Sequence, residues 1–242
     1  MTASPDEAPD GTPPVRRDWI AEAALTAVRE VRQLASTIFA FLRAPFRFAE
    51  EWKAGTSTPM NPIGVVAGSA VVVGALRQAA MAALGRDGDR GLVGAALSAL
   101  GPYIHFAALA VCCHLVLRLV TRRPVRIGDS IAIGLYAGGG PAAIAESLVW
   151  LVVIAIRVAG GEVSSGALSI GLGVAFSAFC MTLAIALAGL FHPRHWQMGV
   201  AFAVAFPVIG LVFGQLDPPG NYGMHWVLVL IGPGAARLTL GL

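Results

Sequence analysis

Charged residues are scarce in this sequence: only 13% of its 242 residues are Asp, Glu, Lys or Arg. An ordinary soluble domain has about 25%. Hydrophobic residues make up 56% of the chain, which is more than a soluble fold of this length could bury. A bilayer is the natural solvent for such a chain, because its hydrocarbon core requires roughly 20 apolar residues per spanning helix. The composition therefore predicts an all-α, polytopic membrane protein.

Lysine is almost absent, since Lys53 stands alone beside 16 arginines. This skew, together with the abundance of Ala and Gly, is typical of a GC-rich bacterial genome, so we expect a bacterial inner membrane. No basic run is interleaved with aromatic residues in the way that a nucleic-acid-binding face requires. The expected partners are the lipid bilayer and either other membrane proteins or a second copy of the chain, and not nucleic acid.

Cysteine and catalytic motifs are equally sparse. Cys112, Cys113 and Cys180 all fall inside apolar segments without a CxxC motif, which indicates small buried hydrophobes rather than a disulfide framework. The sequence has no HExxH, no GxSxG and no Walker motif. His105 and His114 are nine residues apart and so lie on opposite faces of a helix. We expect no metal site, no cofactor and no enzymatic activity.

The two ends of the chain differ from its apolar centre. The sequence opens with MTASPDEAPDGTPP, which is acidic and rich in proline and does not resemble a secretory signal peptide. We interpret residues 1–17 as a disordered tail. Residues 218–242 are too short and too interrupted by glycine and proline to span, so we expect a short exterior segment that is re-entrant or lies on the surface.

Residues 18–54 have the pattern of an amphipathic helix that precedes the spans. Apolar residues recur on one face at helical spacing, and charged residues fall opposite; the face includes Ile20, Val31, Ile38 and Leu42. We expect this helix to lie in the cytoplasmic interface with that face among the acyl chains, and the alternative is that it packs on the protein or on a partner. Three aromatic residues after it are expected as interfacial anchors, namely Phe46, Phe48 and Trp52.

Five segments within residues 55–217 are long and apolar enough to cross the membrane, which predicts a five-helix transmembrane bundle. Pairs of small residues four positions apart, such as Gly134 with Gly138, predict that these helices pack closely. The predicted spans are about Asn61–Leu84, Leu92–Val120, Ser130–Val158, Gly166–Phe191 and Met198–Leu216.

Basic residues are distributed unequally between the two sides that this topology defines. Twelve lie in the N-terminal arm, the second connection and the fourth connection. Four lie on the other side, or five if the Arg77 side chain extends to that side from the first span. Lys and Arg are retained in cytoplasmic loops. The distribution predicts a cytoplasmic N-terminus, an odd number of spans and an exterior C-terminus.

Within the third span, a helix-breaking run at Gly138–Pro141 precedes a carboxylate at Glu146. A charge near the centre of a spanning helix costs roughly 2.5–3.5 kcal/mol, so the acid should face the bundle and find a partner. Arg77 with Gln78 in the first span is the natural partner by type, and His105 and His114 are the alternatives. The arrangement predicts either an interhelical polar clasp, which we favour, or a proton- or ion-linked transport site beside exposed backbone.

One stretch resembles the bacterial members of the Yip (Ypt-interacting protein) domain family. It has an apolar span that ends in HLVLRLV at His114–Val120, a short basic turn at Thr121–Arg126, and a span that opens with Leu135, Tyr136 and Pro141. The resemblance implies five spans, a cytoplasmic N-terminus and a non-enzymatic role as a membrane scaffold or adaptor. The acidic DLYGP signature of the eukaryotic members is missing, so the resemblance does not imply a Rab-type GTPase partner.

Overall fold

The structure is a computed structural model that describes residues 19–85 and 92–216. Within those ranges all regular structure is helical, and the helices are joined by short turns. The predicted tail at residues 1–17 and the predicted exterior segment at residues 218–242 lie outside the described residues. The helices are α1 (Trp19–Arg43), α2 (Pro45–Ala54), α3 (Pro62–Ala83), α4 (Leu92–Thr121), α5 (Ile127–Ala137), α6 (Ala143–Val158), α7 (Ser165–Phe191) and α8 (His195–Leu216).

Five of these helical segments are long and apolar enough to cross a membrane, which confirms the predicted all-α, five-helix membrane bundle. Each of the five predicted spans overlaps one of them. The third span is the longest, at 32 residues, because α5 and α6 form one continuous helix. The five segments are Pro62–Ala83, Leu100–Thr121, Ile127–Val158, Gly166–Phe191 and His195–Val212.

Local capping explains where the spans begin and end. Asn61 Oδ1 accepts a hydrogen bond from Ile63 N at 2.9 Å, and Pro62 occupies the first turn of α3, where a missing N–H costs nothing. Ser164 caps α7 in the same way by accepting from Ala167 N at 3.1 Å. At the other end of α7, His192 adopts a left-handed conformation and stops the helix.

The third span continues through its glycine-proline run, where the sequence predicted a break or a kink. Residues Gly138–Ala142 form a single π-helical turn that joins α5 to α6. A π turn inserts one extra residue into a helix. It gives Pro141, which has no N–H to donate, a place within a continuous helix. A transporter-type break would expose backbone groups. Here all five residues of the turn are buried by protein, so their backbone is not exposed.

Three successive glycines in this turn let three different helices approach the third span. A side chain at Gly138 would collide with Phe106 of the second span, and one at Gly139 would lie 2.8 Å from a Val65 methyl group of the first span. At Gly140 the nearest neighbour is Ile38 of α1, at 3.6 Å. The run therefore serves close packing on three sides.

The predicted single helix over residues 18–54 is two helices in the structure. Helix α1 ends at Arg43, and α2 begins at Pro45 after an extended Ala44. Two of the three predicted interfacial anchors pack on the core: Phe48 is buried in it, and Trp52 is half-buried against it. Helix α2 packs on the last turns of α7, where Gly189 has no side chain to hold off the Phe46 carbonyl group. Phe46 itself stays partly exposed against His192.

Helix α1 packs on the bundle only through its C-terminal half. Thr37 and Phe41 are buried, and the Leu34 side chain lies over Gly68 of α3. Ile38 is partly buried against the core, whereas Leu42 is 41% exposed. Residues 22–33 are exposed on every side. Ile20 lies in α1, but its side chain is outside the part that the structure describes.

Candidate functional site

The Glu146 carboxylate lies between the first and third spans and accepts two hydrogen bonds on one oxygen. Arg77 Nη2 donates to Glu146 Oε1 at 2.6 Å from α3, and Trp150 Nε1 donates to the same oxygen at 3.0 Å from the next turn of α6. The Arg77 and Glu146 side chains are 24% and 11% exposed. The acid is therefore held by one cationic and one neutral donor.

Trp150 also contacts the Arg77 side chain. The Arg77 guanidinium carbon is 5.8 Å from the centre of the Trp150 ring, within the range of a cation–π interaction. Sequence reasoning missed Trp150, although its spacing of four residues from Glu146 places both on one helix face.

Within the described residues, several polar contacts join the third span to the first span and to the residue Met60 that precedes it, and the Arg77–Glu146 pair is one of them. Tyr136 OH donates to Met60 O at 2.6 Å, and Ser69 Oγ donates to Gly139 O at 2.5 Å. At the far end, Arg157 Nε donates to Ala83 O at 3.1 Å. From the first of these contacts to the last, the residue numbers increase on both spans, so the two spans run parallel. We call these four contacts the polar ladder.

Tyr136 belongs to a different contact of the ladder than Glu146 does. It is buried, and its ring lies 5.0 Å from that of Phe48, 5.6 Å from that of Trp52 and 6.0 Å from that of Phe41. Tyr136 thus joins α2 to the third span, while its hydroxyl group reaches the entry of the first. Pro141 is buried in the π turn.

His105 and His114, the alternative partners, make hydrogen-bond contacts away from Glu146. Gln78 is half-buried beside Arg77 on α3. His105 Nδ1 lies 3.0 Å from the Gly101 carbonyl oxygen in its own helix, and His114 Nδ1 lies 2.9 Å from Ser130 Oγ. Among the residues that the structure describes, no three His, Cys, Asp or Glu side chains come together as a metal site. The Arg77–Glu146 ion pair is the contact that the polar-clasp hypothesis predicts.

The basic segments gather at the end of the bundle where the third span begins. Lys53 Nζ donates to the Leu190 carbonyl oxygen at 3.0 Å, which places the end of α2 beside the end of α7. Gln197 Nε2 donates to Val120 O at 3.1 Å and brings the fourth connection against the second. The end of α2 and both connections therefore lie on one side.

No protein-family model, no curated protein and no solved structure matches the chain.

Proposed function

We propose that the protein is a non-enzymatic, Yip-like integral membrane protein that acts as a scaffold or adaptor at the cytoplasmic face of a bacterial inner membrane. The observation that carries this proposal is the N-terminal half of α1, where the described side chains, residues 22–33, are exposed and do not pack on the bundle. The polar ladder agrees with a scaffold, because it uses the intramembrane polar groups to join helices.

The extended half of α1 has an uncovered apolar flank. Leu25, Val28 and Val31 are 68%, 66% and 65% exposed, and they continue along the helix to Phe39 at 65%. Charged residues occupy the other side, including Glu22 and Arg29. Fully burying a Val or Leu side chain contributes about 1.5–3 kcal/mol. The flank therefore suits an acyl-chain boundary, with the arginines at the headgroups.

We expect α1 to lie in the cytoplasmic leaflet of the bilayer. An environment-sensitive fluorophore on V28C, in a background with the three native cysteines replaced by alanine, should emit at shorter wavelength in proteoliposomes than the same label on Q33C. Val28 is on the apolar flank and Gln33 is opposite. Equal spectra at both positions would contradict the interfacial helix.

The same proteoliposomes test the alternative, a small proton- or ion-coupled transporter. As a scaffold, the wild-type protein should carry no proton or monovalent-ion flux above that of protein-free vesicles. A flux that E146Q abolishes would replace the scaffold proposal with transport.

The positive-inside rule predicts that the basic end of the bundle faces the cytoplasm. We expect a reporter fused after Gly85 to be exterior and one fused after Arg123 to be cytoplasmic. Alkaline phosphatase, which is active only outside the cytoplasm, should report activity at the first site and not at the second. The reverse pattern would invert the proposed orientation and remove α1 from the cytoplasmic face.

A further inference from the structure

A cavity of about 490 Å³ opens at the basic end of the bundle. Its walls are the last turn of α2, the loop that follows, the turn between the second and third spans, and the first turn of α5. The volume is within the range of small-molecule sites, about 300–1,000 Å³. None of the four ladder contacts contributes to it. Its polar and apolar walls include Trp52, Lys53, Ser57, Val125, Arg126 and Asp129.

Two cations and a helix start give one side of this cavity a positive potential. Lys53 uses one of its three ammonium donors on Leu190 O, so two remain. Arg126 directly precedes α5 and makes no side-chain cap on it. The first N–H groups of a helix bind phosphate when they are uncapped. In α5 the Asp129 N–H is already bonded to the Arg126 carbonyl oxygen at 3.1 Å. This side of the cavity suits a phosphate ester.

A carboxylate and an indole ring give the cavity a second, negative side. Asp129 Oδ1 accepts from Trp52 Nε1 at 3.3 Å, which fixes the carboxylate beside the aromatic ring. A carboxylate has about four acceptor positions, so most stay open after this bond. An aromatic face attracts a cation. This side therefore suits a primary ammonium group and repels a second phosphate.

A hydroxyl group in the cavity wall lacks a partner. Ser57 Oγ is closed off from solvent and has no hydrogen-bond partner within the described part of the chain. Buried polar atoms of this kind are uncommon in native proteins, and each calls for an explanation such as an ion or a water molecule.

We propose that this cavity binds a phosphoethanolamine group, with the phosphate at Lys53, Arg126 and the start of α5 and the ammonium at Asp129 and Trp52. A zwitterion with these two charges complements the two sides of the cavity, whereas a bare anion would meet Asp129. The group could come from a phosphatidylethanolamine headgroup at the bilayer surface or from a soluble phosphoethanolamine ester.

Native mass spectrometry of the full chain in detergent distinguishes these sources. The probes are phosphatidylethanolamine, phosphatidylglycerol and soluble O-phosphoethanolamine, each titrated separately. We expect one phosphatidylethanolamine to bind about tenfold more tightly than phosphatidylglycerol, because a hydrogen bond to a charged group is worth about 1.4 kcal/mol or more. Binding of O-phosphoethanolamine alone would assign the same site to a soluble ester.

Variants of the residues that line the cavity test whether a bound lipid occupies it. Asp129→Asn keeps an acceptor for Trp52 but removes the charge, so the preference for phosphatidylethanolamine over phosphatidylglycerol should disappear. Arg126→Gln should weaken both lipids about tenfold. Arg122→Gln is the matched control, because Arg122 is exposed in the same turn and does not line the cavity.

Three results would overturn the proposal. They are a preference for phosphatidylglycerol, equal losses in Arg126→Gln and Arg122→Gln, and no retained probe of any kind. Thermal unfolding in detergent should be the same for all three variants, which separates loss of binding from loss of fold. If Arg126→Gln unfolds early, Arg126→Lys should restore both the fold and at least part of the affinity.

Discussion

Glu146→Ala is expected to lower the free energy of unfolding by about 3 kcal/mol. The substitution leaves the Arg77 guanidinium in the bundle without its carboxylate, and removing one partner of a buried ion pair costs about 3–5 kcal/mol in soluble proteins. Polar contacts between membrane helices are weaker on average, about 0.6 kcal/mol, because the separated helices find other partners. The low exposure of Glu146 and the second donor from Trp150 place this site near the larger figure. Unfolding in mixed micelles with a denaturing detergent measures the change.

Two further variants show whether the loss comes from the unpaired charge. Glu162→Ala removes an acid from an exposed position after α6, and we expect less than 0.5 kcal/mol of change. The double variant Arg77→Met with Glu146→Leu replaces both charges with apolar groups and should recover most of the stability. A double variant that is no more stable than Glu146→Ala would show that the pair acts by hydrogen-bond geometry and not by charge compensation.

Gly189→Ala is expected to separate α2 from α7 and to destabilise the protein by about 3 kcal/mol. An added methyl group at Gly189 would occupy the position of the Phe46 carbonyl oxygen and would touch the Ala49 methyl group. Overpacking in a core costs about 1–3 kcal/mol. We expect the upper end, since the obstructing atom is backbone and α2 is held at both its ends. A disulfide between cysteines placed on α2 and α7 should form in the parent and not in the variant.

The matched control is Gly199→Ala in α8. A side chain at Gly199 would meet nothing within 4 Å, so the only effect is the higher helix propensity of alanine, about 1 kcal/mol at most. The two substitutions are chemically identical and should change stability in opposite directions. Equal effects would mean that α2 is not closely docked on α7.

The spans and the Arg77–Glu146 contact were accessible from the sequence for related physical reasons. A bilayer demands long apolar helices, so span positions follow from composition and length alone. An acid inside such a helix needs a compensating group, and Arg77 was the cation available in the first span. The pairing depends on charge type and depth, both of which a sequence shows.

The position of α2 and the shape of the glycine run were not accessible in the same way. An apolar face has the same periodicity whether it meets lipid or protein, so Phe48 and Trp52 could be assigned to either. Helix α2 packs on protein because Gly189 of α7 leaves room for it. Gly189 lies 141 positions after Phe48 in the sequence, so its role is seen only in the tertiary structure. The run at Gly138–Pro141 predicted a break because propensity treats each residue alone. The bundle stabilises a π turn there through Ser69 and three close neighbours.

The Arg77–Glu146 contact of the polar ladder cannot form until the third span has been synthesised. Arg77 and Glu146 are 69 residues apart, and at about 5–20 residues per second the ribosome needs about 3–14 s to make that length. During this interval the first span is already leaving the translocon while its guanidinium has no counter-ion. Arg77 is six residues from the end of α3, about 9 Å. An arginine side chain is long enough to reach the headgroups at that end of the span. The nascent first span can therefore wait in a shifted position until the third span arrives and draws it inward.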